Sequence, residues 1–369
     1  MITITSPEHD AEKVHTIIEQ LYALREANKR VIRHKTFRIN EDLVVEGWTM
    51  QNYVYKKQPG LYPIEARGLF TTRNKEGQHS IVIRGYNKFF NIDEVKSTEW
   101  ESIEKKTEGP YEIQAKENGC IIFITAASPT TVVVTSKHTI PEVRDDNTRH
   151  GGVGYRWLCK HLASVQKTEE DLAAWLYGKH LTLVAELCDD DFEEHVLAYT
   201  EPERGLYLHG INHNTSMLQT LPSDAVQCVA RHFGLLPTYY LTLPDLKSVK
   251  DLADEVQKTN CFGGREVEGI VVRCKRNDKD FFFKVKNQQY LLYREYREVT
   301  RAMLMRNNLQ QVVFRQDKKM PRIRYEETKG YVEWLRERIH DTPEWFDNYL
   351  GSKGIIRLRL EYGNYRAKG

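Results

Sequence analysis

The tetrapeptide Lys116-Glu117-Asn118-Gly119 contains the side chain with the clearest chemical potential in this sequence. A lysine amine attacks phosphorus only when neutral, and its ordinary pKa leaves about one in a few thousand uncharged at pH 7. Neighbouring cations and a metal-bound triphosphate lower that barrier, and a glycine three residues on lets backbone approach a nucleotide. The same lysine–glycine spacing occurs three times, at Lys57 to Gly60, Lys106 to Gly109 and Lys116 to Gly119. The first two fall in polar, proline-containing turn sequences. Only the third lies between two apolar runs, YEIQA and CIIFITAA, whose strands would fix the lysine at the rim of a buried pocket. Taken alone, the spacing also fits an ordinary hairpin lysine.

Later residues supply what such a nucleophile needs. In FFFKVKN, Lys284 and Lys286 stand at i and i+2 of an expected strand and therefore share a face. Two ammoniums projecting from an apolar strand are unfavourable unless an anion lies beside them, and a phosphate would serve. A strand face meeting water is the plainer alternative. Glu186 in LTLVAELC and Glu268 in VEGIVVR are acids in or beside apolar strands. A lone buried carboxylate is costly, and a metal, a ribose or a lysine would satisfy each. A solvent-facing edge strand is the alternative for either one. Arg67 in EARGLF, Lys88 in RGYNKFFN and Lys137 in TSKHT add cations, and Phe90 offers an aromatic face. Cations aimed at developing phosphate charge are the chief requirement of such transfers. Each cation singly reads as surface charge.

The elements that must position these groups are legible as patterns. An amphipathic helix opens the chain, capped by Ser6 with Pro7 in its first turn and Val14, Ile17, Ile18, Leu21 and Leu24 on one face. From about residue 60, short branched runs predict strands at LYPIEARGLF, HSIVIRGYN, YEIQA, CIIFITAA, TTVVVTS, LTLVAELC, HVLAY, GLYLHGI, VEGIVVRCK and DFFFKVKN. Helices are expected at WLCKHLASV, EEDLAAWLYG and SDAVQCVARHFG. After Gln289 the periodicity turns helical and arginine-rich. The close strand spacing predicts an α+β body with mostly antiparallel sheets over residues 1–290, and a mainly α domain over 291–369.

In order, Lys116-Glu-Asn-Gly, Lys137, Glu186, Glu268 in EGIVV and Lys284/Lys286 in FKVK resemble the successive motifs of the covalent nucleotidyltransferases. Those comprise RNA ligases, DNA ligases and mRNA capping enzymes. Arg67 followed 21 residues on by Lys88 resembles the bacteriophage RNA ligase branch, as does Tyr290 six positions after Lys284. The helical, arginine-rich end and the long spacings are similar to the ligase domain of fungal tRNA ligases. The resemblance runs motif by motif over residues 60–295. Cys120 and Ile121 stand where DNA ligases and capping enzymes commonly carry an arginine, which points away from those branches.

This resemblance implies a nucleotidyltransferase core of antiparallel sheets with flanking helices, unrelated to ATP-grasp folds. It implies that Lys116 takes AMP from ATP with Mg2+ or Mn2+, passes it to an RNA 5′-phosphate, and lets a 3′-hydroxyl end bearing a 2′-phosphate displace it. The RNA would be tRNA exon halves, in tRNA splicing and in the unconventional mRNA splicing of the unfolded protein response. Gln114, Ala115, Gly119, Arg67, Lys88, Phe90, Lys137, Glu186, Glu268, Lys284, Lys286 and Tyr290 would bind the nucleotide, with Tyr207 stacking on adenine. Glu186 and Glu268 would take the metal directly or through water. A 2′-phosphate needs Arg or His partners, and the candidates are His150, His195, Arg294 and Arg297. His150 precedes Gly151-Gly152, which suits a flexible loop at a cleft, and the two arginines lie one helical turn apart. Pairing with Glu295 or Glu298 would equally occupy them. Kinase and cyclic phosphodiesterase domains are expected outside this sequence, which holds no GxxxxGK[ST] phosphate loop. The competing functions are a DNA ligase, a capping nucleotidyltransferase, and a non-catalytic RNA-binding module on this fold.

Composition bounds the rest. Hydrophobic residues make up 40% and charged residues 29% of 369, enough for a sizeable core and too apolar for disorder. Net charge is only +2, but residues 291–369 hold 17 Lys/Arg against 11 Asp/Glu, while the first 290 hold 37 against 41. A basic end on a slightly acidic body fits a polyanion clamp, or a solvated helical face. Six scattered cysteines show no CxxC pair, and Cys120, Cys188 and Cys274 fall in strand-like runs where reduced thiols are the default. With no apolar run near the ~20 residues of a membrane span, a cytoplasmic or nuclear location is expected.

Overall fold

The branched apolar runs fold into three sheets in a computed structural model that describes residue 4 and residues 10–307, 311–315 and 320–368. The first sheet is an antiparallel meander of Ile32–Arg38, Val44–Met50, Leu69–Arg73 and His79–Arg84. The second runs Leu236–Pro237, Gly205–His213, Leu181–Cys188, Cys120–Ser128 and Thr131–Thr135. The third runs Tyr240–Leu243, Glu108–Lys116, Gly269–Arg276, Lys279–Lys286 and Phe90–Asn91. Two short edge pairings are parallel, Gly205–His213 with Leu236–Pro237 and Lys279–Lys286 with Phe90–Asn91; the other pairings in these sheets are antiparallel.

Helices cover the outer faces because their apolar stripes match the strands beneath. The opening helix, Ala11–Ala27, buries Val14, Ile18 and Leu21 against Trp48 and Leu69 of the first sheet. Its expected cap, Ser6 with Pro7, lies outside the described residues. Helices His150–Ser164, Glu169–Leu176 and Ser223–His232 cover the second sheet, and Leu246–Thr259 covers the third. A cluster of Phe37, Phe70, Ile83, Phe123, Val184 and Phe282 joins the three sheets at the centre. Among the described residues no helix is long and apolar enough to cross a membrane.

Helix Gln288–Met303 begins where Asn287 accepts the Gln289 N–H, and with Glu327–Asp341 and Ile355–Lys368 it forms a separate core rich in aromatic residues. Tyr296 and Tyr331 stack there at 4.2 Å. This region also carries a hairpin, Leu304–Arg306 with Val312–Phe314, that helical periodicity did not foretell. The region is tied to the body through the loop after Cys188. The Glu194 N–H donates to the Ser352 carbonyl at 2.9 Å, the Ile356 N–H donates to the Glu194 carboxylate at 3.0 Å, and Lys353 donates to the Asp190 carbonyl.

Three local expectations need correction. HVLAY is not a strand: Asn118 Oδ1 accepts the N–H groups of Val196 and Leu197, and Asp190 accepts that of Tyr199, so no sheet neighbour is needed. The strand in LYPIEARGLF begins only at Leu69. His150-Gly151-Gly152 opens a helix instead of a loop, and a Cβ at Gly152 would meet the Asp146 carbonyl oxygen at 2.2 Å.

Candidate active site

Strand register assembles the chemistry. Gly269 pairs with Lys116 on one side and Lys286 on the other, so the three stand in a row across the third sheet. Glu268 precedes that glycine, and its carboxylate falls between the two amines, 2.9 Å from Lys116 Nζ and 2.8 Å from Lys286 Nζ. Gly269 has φ of +148° and a Cβ there would lie 2.1 Å from the Val285 carbonyl oxygen, so only glycine allows this close crossing. Gly119 plays a matching part toward the second sheet. Its added Cβ would lie 2.1 Å from the Leu187 carbonyl oxygen, and its N–H donates to Glu186 Oε1 at 3.1 Å.

A cavity of about 330 Å³ opens between the second and third sheets. Arg67, Lys116, Lys137 and Lys284 project into it against Glu117, Glu186 and Glu268, with Ala115, Phe89 and Phe282 among its apolar walls. Burial disfavours charge on Lys116, but Glu268 and then Glu186 reverse this and hold the amine above the ordinary lysine range. Lys116 is therefore a protonated ammonium in the free protein. Burial alone would raise the Glu268 carboxyl; Lys116 and Lys286 overcome it and draw it down to about 2. Glu186 goes the other way: burial outweighs Lys116, and the carboxyl rises to about 7. Burial, reinforced by Lys116, Lys88 and Lys286, pushes Lys284 down to about 7, and burial with Arg67 and Lys88 pushes Lys137 down to about 8. Buried lysines whose charge is opposed by burial and by one another, Lys284 and Lys137 beside Arg67, suit an anion that would relieve that cost.

Glu186 lines the cavity and suits a divalent cation, its Oε1 being oriented by the Gly119 N–H. Both oxygens of Glu268 are engaged by ammoniums, so contact with a cation through water fits it better.

Gln114, Ala115, Lys116, Gly119, Arg67, Lys137, Glu186, Glu268 and Lys284 share this cavity, while Lys286 meets it through Glu268. The Gln114 amide is engaged by the His209 carbonyl and Ser223, and the Ala115 N–H by the Tyr239 carbonyl. Tyr290 stands behind the lysine pair, with Lys286 5.2 Å above its ring and its hydroxyl accepting from Asn118. Two aromatic assignments change. Phe90 packs against the N-terminal cluster under Lys88, and its neighbour Phe89 faces the cavity with Lys284 5.4 Å over its ring. Lys88 correspondingly lies outside the lining and acts on Lys137 and Lys284 by its charge. Tyr207 does not line the cavity. Its hydroxyl donates to the Glu203 carbonyl and Arg265 covers its ring at 4.7 Å, inside a buried cluster with Cys188 and Tyr199.

His150 and His195 converge on Glu193, at 2.9 and 4.0 Å, beside Cys120. Arg297 acts on His195, and Arg294 on Lys286, through charge, but none of His150, His195, Arg294 and Arg297 lines the cavity. Arg297 also bonds Glu298, whereas Glu295 is taken by Tyr325 and Thr328.

The sequence reading missed a support network behind the nucleophile. Asn118 is buried; it donates to Glu268 and Tyr290, accepts from Val196 and Leu197, and gives its N–H to the Tyr199 hydroxyl. Glu117 pairs with Arg265 and accepts from Tyr199. Asn118 lay inside the quoted motif, so its type was a usable signal. Arg265 follows 148 residues after Glu117, and no local pattern joins them.

Comparison with known proteins agrees with this geometry. Residues 65–292 match the family model described as RNA ligase. The chain is 39% identical over 311 residues to tRNA ligase 1 of Schizosaccharomyces pombe, covering 81% of this chain and 38% of that protein. It is 37% identical over 373 residues to the tRNA ligase of Candida albicans, covering 93% and 44%. The chain thus spans about two fifths of the length of these curated relatives. An archaeal ATP-dependent RNA ligase shares the fold, with a TM-score of 0.54 and 14% identity over 94% of this chain and 80% of that one. From the lysine row through the matched residues, the chain belongs to the RNA ligase family.

Proposed function

We propose that this chain seals RNA ends with ATP, through AMP carried on Lys116, as the ligase portion of a longer fungal-type tRNA ligase. The observation that carries this is Lys116 held against Glu268 inside a cation-lined cavity of nucleotide size. The Lys116 ammonium must pass its proton to solvent before the amine attacks. Its nitrogen then bonds to the α-phosphorus of ATP while the bond to the β-phosphate oxygen breaks and pyrophosphate leaves. Lys284, near its midpoint at neutral pH, takes up a proton as the phosphate docks and holds the charge that develops. Lys286 shares the Glu268 carboxylate with the nucleophile, each ammonium taking one oxygen. A divalent cation, Mg2+ or Mn2+, would offset triphosphate charge and favour the neutral amine, with Glu186 as its natural ligand. AMP next moves to an RNA 5′-phosphate, and the 3′-hydroxyl of the other strand displaces it.

The similarity to tRNA ligases supports tRNA exon halves as substrate; the proposed setting is tRNA splicing and unconventional mRNA splicing, in the cytoplasm or nucleus. His150, His195, Arg294 and Arg297, which lie outside the cavity lining, are the groups proposed to meet the 2′-phosphate. The greater length of the relatives leaves room for the kinase and cyclic phosphodiesterase domains proposed for the full protein.

Intact mass after incubation with ATP and Mg2+ tests the core of this. Wild type should gain one AMP, and Lys116→Ala should gain none; an adduct persisting in the variant would refute the role of Lys116. Sealing of two RNA halves with and without a 2′-phosphate on the acceptor then tests the substrate.

A further inference from the structure

Beside the nucleotide cavity, three side chains of different ligand chemistry come within reach of one ion. We propose that Cys120 Sγ, His195 Nε2 and Glu193 Oε2 form a binding site for a thiophilic divalent cation of the Zn2+ class, separate from the oxygen ligation available at Glu186.

The separations fit. Cys120 Sγ lies 3.4 Å from His195 Nε2 and 3.6 Å from Glu193 Oε2, and the latter two atoms are 4.0 Å apart. Bond lengths of roughly 2.0–2.3 Å at tetrahedral angles put ligand atoms about 3.3–3.5 Å apart, so the two sulfur pairs already fit and the His195–Glu193 pair must draw together by about 0.7 Å. A second observation fixes the ligand atom. The other ring nitrogen of His195, Nδ1, lies 3.2 Å from the Glu193 carbonyl oxygen, which can only accept. The proton therefore sits on Nδ1, and the Nε2 lone pair faces the thiol, as an outer-sphere carbonyl arranges in built metal centres.

The loop is prepared as well. The Glu193 N–H donates to the Asp189 carbonyl at 2.9 Å, and His150 Nε2 lies 2.9 Å from Glu193 Oε2, orienting that carboxylate. All three ligands are half-buried, so an ion can enter and keep a water in its fourth position. Sulfur ligation selects Zn2+, Cd2+ or Co2+ over Mg2+, which prefers oxygen. One thiolate, one carboxylate and a neutral imidazole balance the two positive charges. Burial and Glu193 keep the thiol protonated in the free protein, so the new S–metal bond forms as the S–H bond breaks and one proton passes to buffer. Occupancy would engage His195, so an expected block of RNA sealing rests on the proposed function; ion binding itself does not.

The test is a Co2+ titration of the whole metal-free protein, without ATP or RNA, reading the near-ultraviolet thiolate-to-Co2+ absorption. Wild type should take one equivalent with that absorption and release one proton per ion. Cys120→Ser should lose it, and His195→Ala should weaken binding at least tenfold. Because His15, Glu19 and His79 also gather within 4.8 Å of one another, His79→Ala is run in parallel and should leave the thiolate absorption unchanged. Absence of the absorption in wild type, or its survival in Cys120→Ser, which would assign it to the exposed Cys159, Cys228 or Cys261, overturns the proposal. Formation of lysyl-AMP in Mg2+ is scored separately, so either idea can fail alone.

Discussion

Glu268→Gln removes one charge and almost no volume, so it isolates what that carboxylate does for Lys116 and Lys286. The folded carboxyl titrates at about 2 against an ordinary 4.5, a gap worth about 3 kcal/mol of folding stability. Breaking a buried ion pair by removing one partner typically costs about 3–5 kcal/mol, which agrees. Because the folded value is depressed, the contribution is complete above pH 4.5 and is lost as pH falls toward 2. Urea denaturation at pH 7 should therefore find the variant weaker by about 3 kcal/mol, and at pH 3.5 by only about 2 kcal/mol. Lys116, freed of its counter-charge, should also react faster with an amine acylating reagent near pH 8, located by peptide mass mapping. A loss below about 1 kcal/mol at pH 7, the size of a surface pair, would refute the buried clamp, as would an unchanged labelling rate.

Lys284→Met should raise the melting temperature below pH 7, where wild type keeps a buried charge, with the gain fading between pH 7 and 10 as that lysine discharges; binding of a fluorescent ATP analogue should weaken at least tenfold. Asn118→Ala leaves two N–H groups and Glu268 short of a partner, and should cost about 2–4 kcal/mol in urea, with faster amide exchange at Val196 and Leu197. RNA binding should fall steeply with salt, and Arg294→Ala with Arg297→Ala should flatten the log–log slope by roughly two phosphate contacts.

What could be read beforehand follows from periodicity. Lys284 and Lys286 fall on one face because two residues make one strand repeat, and Glu268 beside an apolar run required a partner that turned out to be two lysines. The errors came where alternation lacks a phase. Two adjacent phenylalanines must face opposite ways, and nothing local says that Phe89 takes the cavity. HVLAY has strand composition, yet a side-chain amide from a distant turn satisfies its backbone. Tyr207 pairs in register with Glu186, but Arg265, far along the chain, covers its ring. Pairings separated by dozens of residues, such as Asn118 with Val196 or Tyr207 with Arg265, leave no mark on local pattern.

The loop bearing Glu193 and His195 is pinned from behind by Ser352, Lys353 and Ile356. The helical end is thus moored to that loop by three bonds, not an appendage hung beside it. Trimming the chain to its sheets would slacken that loop, and anything gripping the helices from outside would pull on the segment that carries Glu193 and His195.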